Sequence, residues 1–205
     1  MSGVDRQGAA SRLVVAAPLR IEAALIRSAA RGTRVHATGM GPARSRRAAR
    51  ELVRELGEGL LVLGFCGGLD ATSRPGEVVI AEQVVSAPGE EGNPAHAACA
   101  GAAALTAAIA GRGMRVRTGT VMCVSKIAVG ERRAELHAAG AIAVDMESVW
   151  LAAGAGDRPL GVVRVVLDSP SHELLRPGAL VSAVRASRVL RRVARAALHG
   201  WEPAG

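Results

Sequence analysis

RLVVAAPLRIEAALIRSAA, residues Arg12–Ala30, contains the unit from which the rest of the chain is built. Arg12–Ala17 reads as a short buried strand, and a helix over roughly Arg20–Ala30 follows it. Working outward, the same alternation continues. Val35–Thr38 leads into the small-residue turn TGMG (Thr38–Gly41), and Pro42 opens a helix reaching about Leu56, with Gly57 as a stop. Leu60–Leu63 is a continuous apolar run ending in Gly64. Glu77–Ser86 is a further strand, and Ala87–Pro94 a loop rich in Gly, Pro and Glu. Helix signals near Gly101–Ala110 and Glu131–Ala139 alternate with strands near Arg115–Val121 and Ala141–Val144. Glu147–Ala155 suits a helix, Leu160–Leu167 a strand and Ala179–His199 a long final helix. Strands that are apolar along their length, alternating with helices, require a largely parallel sheet covered on both faces. The expected fold class is therefore α/β: one domain over residues 1–205, three layers α/β/α around a mixed, mostly parallel sheet, with residues 1–11 disordered.

A chain of 205 residues with 49% apolar content is one ordinary domain with a substantial core. It has no apolar run long enough for a spanning helix, and residues 1–12 lack the apolar segment of a secretory signal. A cytoplasmic location is expected. The net charge is +8, and Lys126 is the one lysine among 26 basic residues, an arginine bias much of which a GC-rich genome explains without any partner. A basic surface can still attract phosphate, nucleic acid or anionic lipid. Nucleic acid is not expected as a partner. Phe65, Trp150 and Trp201 are the only aromatic residues, too few for stacking platforms, and no helix-turn-helix or RNA-recognition signature is present. Cys66, Cys99 and Cys123 form no CxxC pair, and the five histidines have no ligand spacing, so neither a metal nor any other cofactor is expected.

In parallel sheets, chemistry lies beyond the carboxyl ends of strands. That directs attention to Pro18–Glu22, Thr38–Gly41, Gly64–Gly68, Asp145–Glu147 and Leu167–Pro170. Gly64, Gly67 and Gly68 of LGFCGGLD would let a ligand approach the backbone, or would simply form a tight turn. Asp145 and Glu147 flank Met146 where a strand leaves the core, as either helix caps or ligand holders. Asp168 follows VVRVVL as either a turn former or a functional carboxylate.

The motifs then converge. AVDMES (Ala143–Ser148) resembles the AVEMES/AVDMEA signature of the nucleoside phosphorylase superfamily, which includes the 5′-methylthioadenosine/S-adenosylhomocysteine nucleosidases. ATGMGPARS (Ala37–Ser45) resembles that family's SGxGxxxA segment. LGFCGGLDATSRPGEVVIAEQVV (Leu63–Val85) resembles GxxGGLxxxxxxGDVVI, and VVRVVLDSP (Val162–Pro170) resembles VRxxSD. The resemblance implies cleavage of an N-glycosidic bond. It assigns the ribose to Met146 and Glu147, and purine N7 to Asp168, protonated through burial. Gly67 and Ile127 would adjoin the base, Ile127 standing near the position of a stacking Phe. Arg20, Gly41, Gly64 and Phe65 would surround the water or phosphate.

The nucleophile separates two branches of this family. Aligned without gaps, Glu22 falls where nucleosidases place the carboxylate that activates water. PLR (Pro18–Arg20) also resembles the DPLRA of phosphorylases, whose Arg contacts phosphate. VLGFCG (Val62–Gly67) lacks the Arg and Ser of the phosphorylase RVGSCG, so hydrolysis is favoured and Arg20 keeps phosphorolysis open. Leu167 stands in place of a Ser that orients the family's Asp, so a nucleoside-binding protein without catalysis is a third reading. GGLDATSRPGEVV, VDMES and LDSPSHELLRPGAL (Leu167–Leu180) most resemble hopanoid-associated phosphorylase-like nucleosidases, which implies adenine release from an adenosyl-hopane lipid. Homo-oligomers, dimers above all, are implied as well. In the last helix Val181, Val184, Leu190, Val193 and Leu198 define an apolar face. Such a basic amphipathic helix can rest on a membrane, but packing on its own sheet is the preferred reading.

Overall fold

Alternate residues of three strands feed two separate cores in the computed structural model, which describes residues 13–90, 95–171 and 179–203. In β1 (Leu13–Ala17), β3 (Gly59–Gly68) and β8 (Leu160–Asp168), Val15, Leu61, Leu63, Val163 and Val165 face one side. Val14, Ala16, Leu60, Val62, Val162 and Val166 face the other. This two-residue period is intrinsic to an extended chain, and because both faces are covered the strands read as continuous apolar runs. Helices α1 (Arg20–Ala29), α3 (Ala102–Ala110) and α6 (Ala179–Gly200) cover the first face. Helices α2 (Pro42–Leu52) and α5 (Ser148–Ala152) cover the second, and α4 (Glu131–Ala138) packs on β7 (Ala141–Asp145).

The sheet is mixed and mostly parallel, as expected. Its order is β2 (Val35–Ala37), β1, β3, β7, β6 (Val116–Cys123), β4 (Val78–Ser86), β5 (His96–Ala98). β8 lies off this path, running parallel to β3 and antiparallel to β4. Strands β3, β8, β4, β6 and β7 therefore close into a ring, each hydrogen-bonded to the next. The short strand β5 was not anticipated.

Three local readings are corrected. The glycines after Leu63 do not form a turn: β3 continues through Gly68, and none of Gly64, Gly67 and Gly68 has a positive φ. They are small because of what packs on them, since a Cβ on Gly68 would stand 2.4 Å from that of Ser73. Helix α2 ends at Leu52 rather than Leu56, where the Arg158 guanidinium accepts the role of cap by donating to the carbonyls of Leu52 and Glu55, each at 2.8 Å. Val181 and Val184 do not join the apolar face of α6; Leu190, Val193 and Leu198 do. The expected disorder of residues 1–11 and most of the segment before α6 (172–178) lie outside the described residues. No helix among the described residues is long and apolar enough to cross a membrane.

Candidate active site

The ends of β1, β3, β7 and β8 converge on a cleft of about 150 Å³. At its inner end Glu22, in the first turn of α1, is 2% exposed. The backbone N–H of Leu19 donates to its Oε2 (2.6 Å) and that of Phe65 to its Oε1 (2.7 Å). Burial pushes the carboxyl above the ordinary Glu range, opposed by the nearby Arg164 guanidinium and by those two amides.

Arg164 is fully buried in the middle of β8. Its Nη2 pairs with Asp145 Oδ2 at 2.7 Å, and Nε and Nη2 both donate to Ser148 Oγ. Asp145 also accepts from Ser148 Oγ, from the Cys123 thiol and from the amides of Glu147 and Ser148. Asp145 thus accepts the amides at the start of α5, in keeping with the capping reading, and its other oxygen holds the protein's own Arg164 rather than a ligand. Burial works against the Arg164 charge, but Asp145, Glu147 and Glu22 outweigh it and hold the guanidinium above its usual range. Its Nη1 has no hydrogen-bond partner among the described residues and lies against Gly64, where a Cβ would stand 2.5 Å from Nη1 and 2.7 Å from Glu22 Oε1. Glycine is needed there so that β3 can pass these two groups.

Glu147 is 5% exposed and accepts a 3.1 Å hydrogen bond from the N–H of Gly41. Gly41 has φ +89°, which a residue with a Cβ rarely adopts. Burial first, then the Asp145 carboxylate, push the Glu147 carboxyl up to about 7. Asp168, the last residue of β8, marks the far end. Gly64 pairs with Arg164 and Gly67 with Asp168, three residues further along β3, which is about 10 Å of strand. Arg133 of α4, 4% exposed, donates from Nη2 to Asp168 Oδ2, from Nη1 to the Gly68 carbonyl (3.2 Å) and from Nε to that of Ala128 (2.9 Å). With Leu167 beside Asp168, the orienting hydrogen bond comes from Arg133. No cluster of three or more His, Cys, Asp or Glu that could hold a metal occurs among the described residues.

A model of the phosphorylase superfamily matches residues 24–198. The chain belongs to that superfamily. Among solved structures, the 5′-methylthioadenosine/S-adenosylhomocysteine nucleosidase of Campylobacter jejuni superposes with a TM-score of 0.76 at 12% identity, covering 91% of this chain and 98% of that one. The Neisseria meningitidis nucleosidase, in complex with methylthio-immucillin-A, gives 0.71 at 19% identity, with 90% and 99% covered. Futalosine hydrolase of Helicobacter pylori gives 0.72 at 14%, with 91% and 95% covered. At these identities the likeness is one of fold. No curated protein sequence matches the chain significantly.

On this superfamily fold, seven of the expected residues line one cleft: Glu22, Phe65, Gly67, Ile127, Met146, Glu147 and Asp168. Three do not. Arg20 is exposed on α1, Gly41 acts through its hydrogen bond to Glu147, and Gly64 lies behind the cleft against Arg164. Arg133 and Arg164 went unassigned in the sequence. An arginine inside the apolar run VVRVVL was itself a signal, because a buried charge requires partners. For Arg133 the signal was weaker: it shares the inward side of α4 with Leu136.

Proposed function

We propose that this member of the superfamily hydrolyses the N-glycosidic bond of a purine nucleoside and releases adenine. Glu22 takes a proton from water as it attacks the anomeric carbon. Glu147 accepts hydrogen bonds from the ribose hydroxyls and Met146 packs on the sugar. Asp168 is ion-paired with Arg133 and so is a carboxylate at rest rather than protonated through burial. It takes up a proton from solvent as the nucleoside binds and delivers it to N7 of the departing base, the guanidinium stabilising the carboxylate left behind.

The observation that carries hydrolysis over phosphorolysis is the charge around the nucleophile. Three carboxyl groups, Glu22, Asp145 and Glu147, act on one guanidinium, Arg164. A phosphate dianion placed there would face net negative charge, whereas water is neutral. Arg20, which would have supplied the phosphate contact, does not line the cleft. A bulky apolar 5′ substituent, such as that of an adenosyl-hopane, is supported by Met40 and Ile127 on the lining, 47% and 67% exposed.

The test is chromatography of free base released from methylthioadenosine, S-adenosylhomocysteine, inosine, adenosine and an adenosine with a bulky apolar 5′ group, with and without phosphate. Phosphate-independent adenine release is expected. Release that requires phosphate and yields ribose 1-phosphate would overturn the hydrolytic reading. Saturable binding without release from any substrate would leave a nucleoside-binding protein.

Glu147 also sets a pH limit. Its carboxylate is the hydrogen-bond acceptor, so kcat/KM is expected to fall as pH drops through about 7. For stability the sign is opposite. The folded carboxyl titrates near 7 and the unfolded one near 4.5, so the unfolded chain loses its proton first. Folding is progressively disfavoured from 4.5 to 7, and the penalty is complete above 7. Glu147→Gln is expected to raise Tm at pH 8 and not at pH 4.5, while lowering turnover at least tenfold. Melting curves at the two pH values check this.

A further inference from the structure

Helix α6 carries a surface that the proposed reaction does not use. Its inner side, with Ala186, Leu190, Val193 and Ala197, belongs to the first core. Its outer side begins with Leu180, Val181 and Val184, which are 78%, 72% and 43% exposed. Arg185, Arg188, Arg191 and Arg192 follow, all exposed. At 3.6 residues per turn these seven residues fall within an arc of about 140°. The helix contains no Asp or Glu, and none of these four arginines pairs with a carboxylate among the described residues.

We infer that the outer face of α6 docks on an anionic lipid bilayer, with the three aliphatic side chains entering the interface and the arginines meeting lipid phosphates. A bilayer supplies both an apolar layer and negative charge, and that combination matches this face. Nucleic acid would satisfy the arginines but leave the aliphatic turn in water. A second copy joined by a two-fold axis through α6 would set arginines against arginines with no acid between them. The placement is also directional. α6 follows the carboxyl end of β8 and packs beside α1, which follows the parallel β1, so its aliphatic turns and the exposed Ile21 lie at the end of the sheet where the cleft opens. Docking therefore brings the cleft mouth toward the lipid surface.

The experiment is co-sedimentation of the full chain with vesicles of phosphatidylcholine alone, or with about one third phosphatidylglycerol. Binding is expected to the anionic vesicles only, weakening as salt rises. Val181→Ser/Val184→Ser and Arg188→Gln/Arg191→Gln are each expected to lower partitioning at least tenfold. Circular dichroism melts and turnover of a soluble nucleoside should stay unchanged, since none of the four lines the cleft. Failure of the unaltered protein to bind anionic vesicles at low salt would overturn the proposal. So would binding indifferent to both pairs of substitutions, or a dimer in light scattering that Val181→Ser/Val184→Ser dissociates. Vesicle binding and base release are read separately, so neither outcome depends on the other.

Discussion

Glu22→Gln is expected to lower kcat by roughly 10²–10⁴-fold, the contribution general of a positioned general base. The amide is nearly isosteric but cannot take a proton from water. Both carboxylate oxygens already accept backbone amides, from Leu19 and Phe65. In the variant one of those N–H groups faces an NH₂ donor whichever way the amide turns. A stability loss of about 1–3 kcal/mol is therefore expected as well, the cost of a buried donor left without an acceptor. Asp168→Asn should also lower turnover at least a hundredfold, through loss of the transferable proton. Single-turnover rates beside melting curves separate the two effects. A Glu22→Gln enzyme that turns over at near-normal rate would reject Glu22 as the base.

These two carboxylates were pointed to by the family resemblance; position alone left Glu22 readable as an ordinary carboxylate in the first turn of a helix and Asp168 as a turn former. The elements were legible in the residues themselves, since strands buried on both faces are written as unbroken apolar runs. Closure of the sheet into a ring was not. It depends on β8 choosing two partners of opposite direction, and non-local pairing leaves no trace in either segment. The run Gly64–Gly68 misled because glycine is equally at home in a turn and in an extended strand. What decides is that Arg164, Glu22 and Ser73 press against it. Arg133 and its neighbour Arg132 are indistinguishable in ERRAELHA, yet one is buried on Asp168 while the other pairs with Glu135 at the surface. At about 100° per residue Val181 and Val184 lie on the side of α6 away from Leu190 and Val193, so helical spacing itself separates them from the core-facing residues. The core ends further along α6, at Ala186 and beyond.

Arg164→Met should be the most damaging single substitution for stability, at ~3–5 kcal/mol, because it removes one partner of a buried ion pair and strands the other. For a domain of this size that corresponds to a fall in Tm of roughly 10 °C. Met keeps much of the side-chain length, so lost packing is a minor part. The cost arises from Asp145, whose carboxylate keeps its Ser148, Cys123 and amide donors but loses its counter-charge. Asp145→Asn added to Arg164→Met is therefore expected to recover part of the loss, a coupling that a double-mutant cycle of melting data measures. Strictly additive losses would show that the guanidinium is not what makes the buried carboxylate tolerable. Activity should respond differently. Asp145→Asn removes the stranded charge but returns no cation beside Glu22, whose carboxyl the guanidinium holds down against burial, so kcat should stay at least tenfold low while stability rises. One guanidinium thus holds the polar cluster together through Nη2 and, by its charge, favours the ionised form of Glu22, and only the first of these duties can be replaced by neutralising its partner.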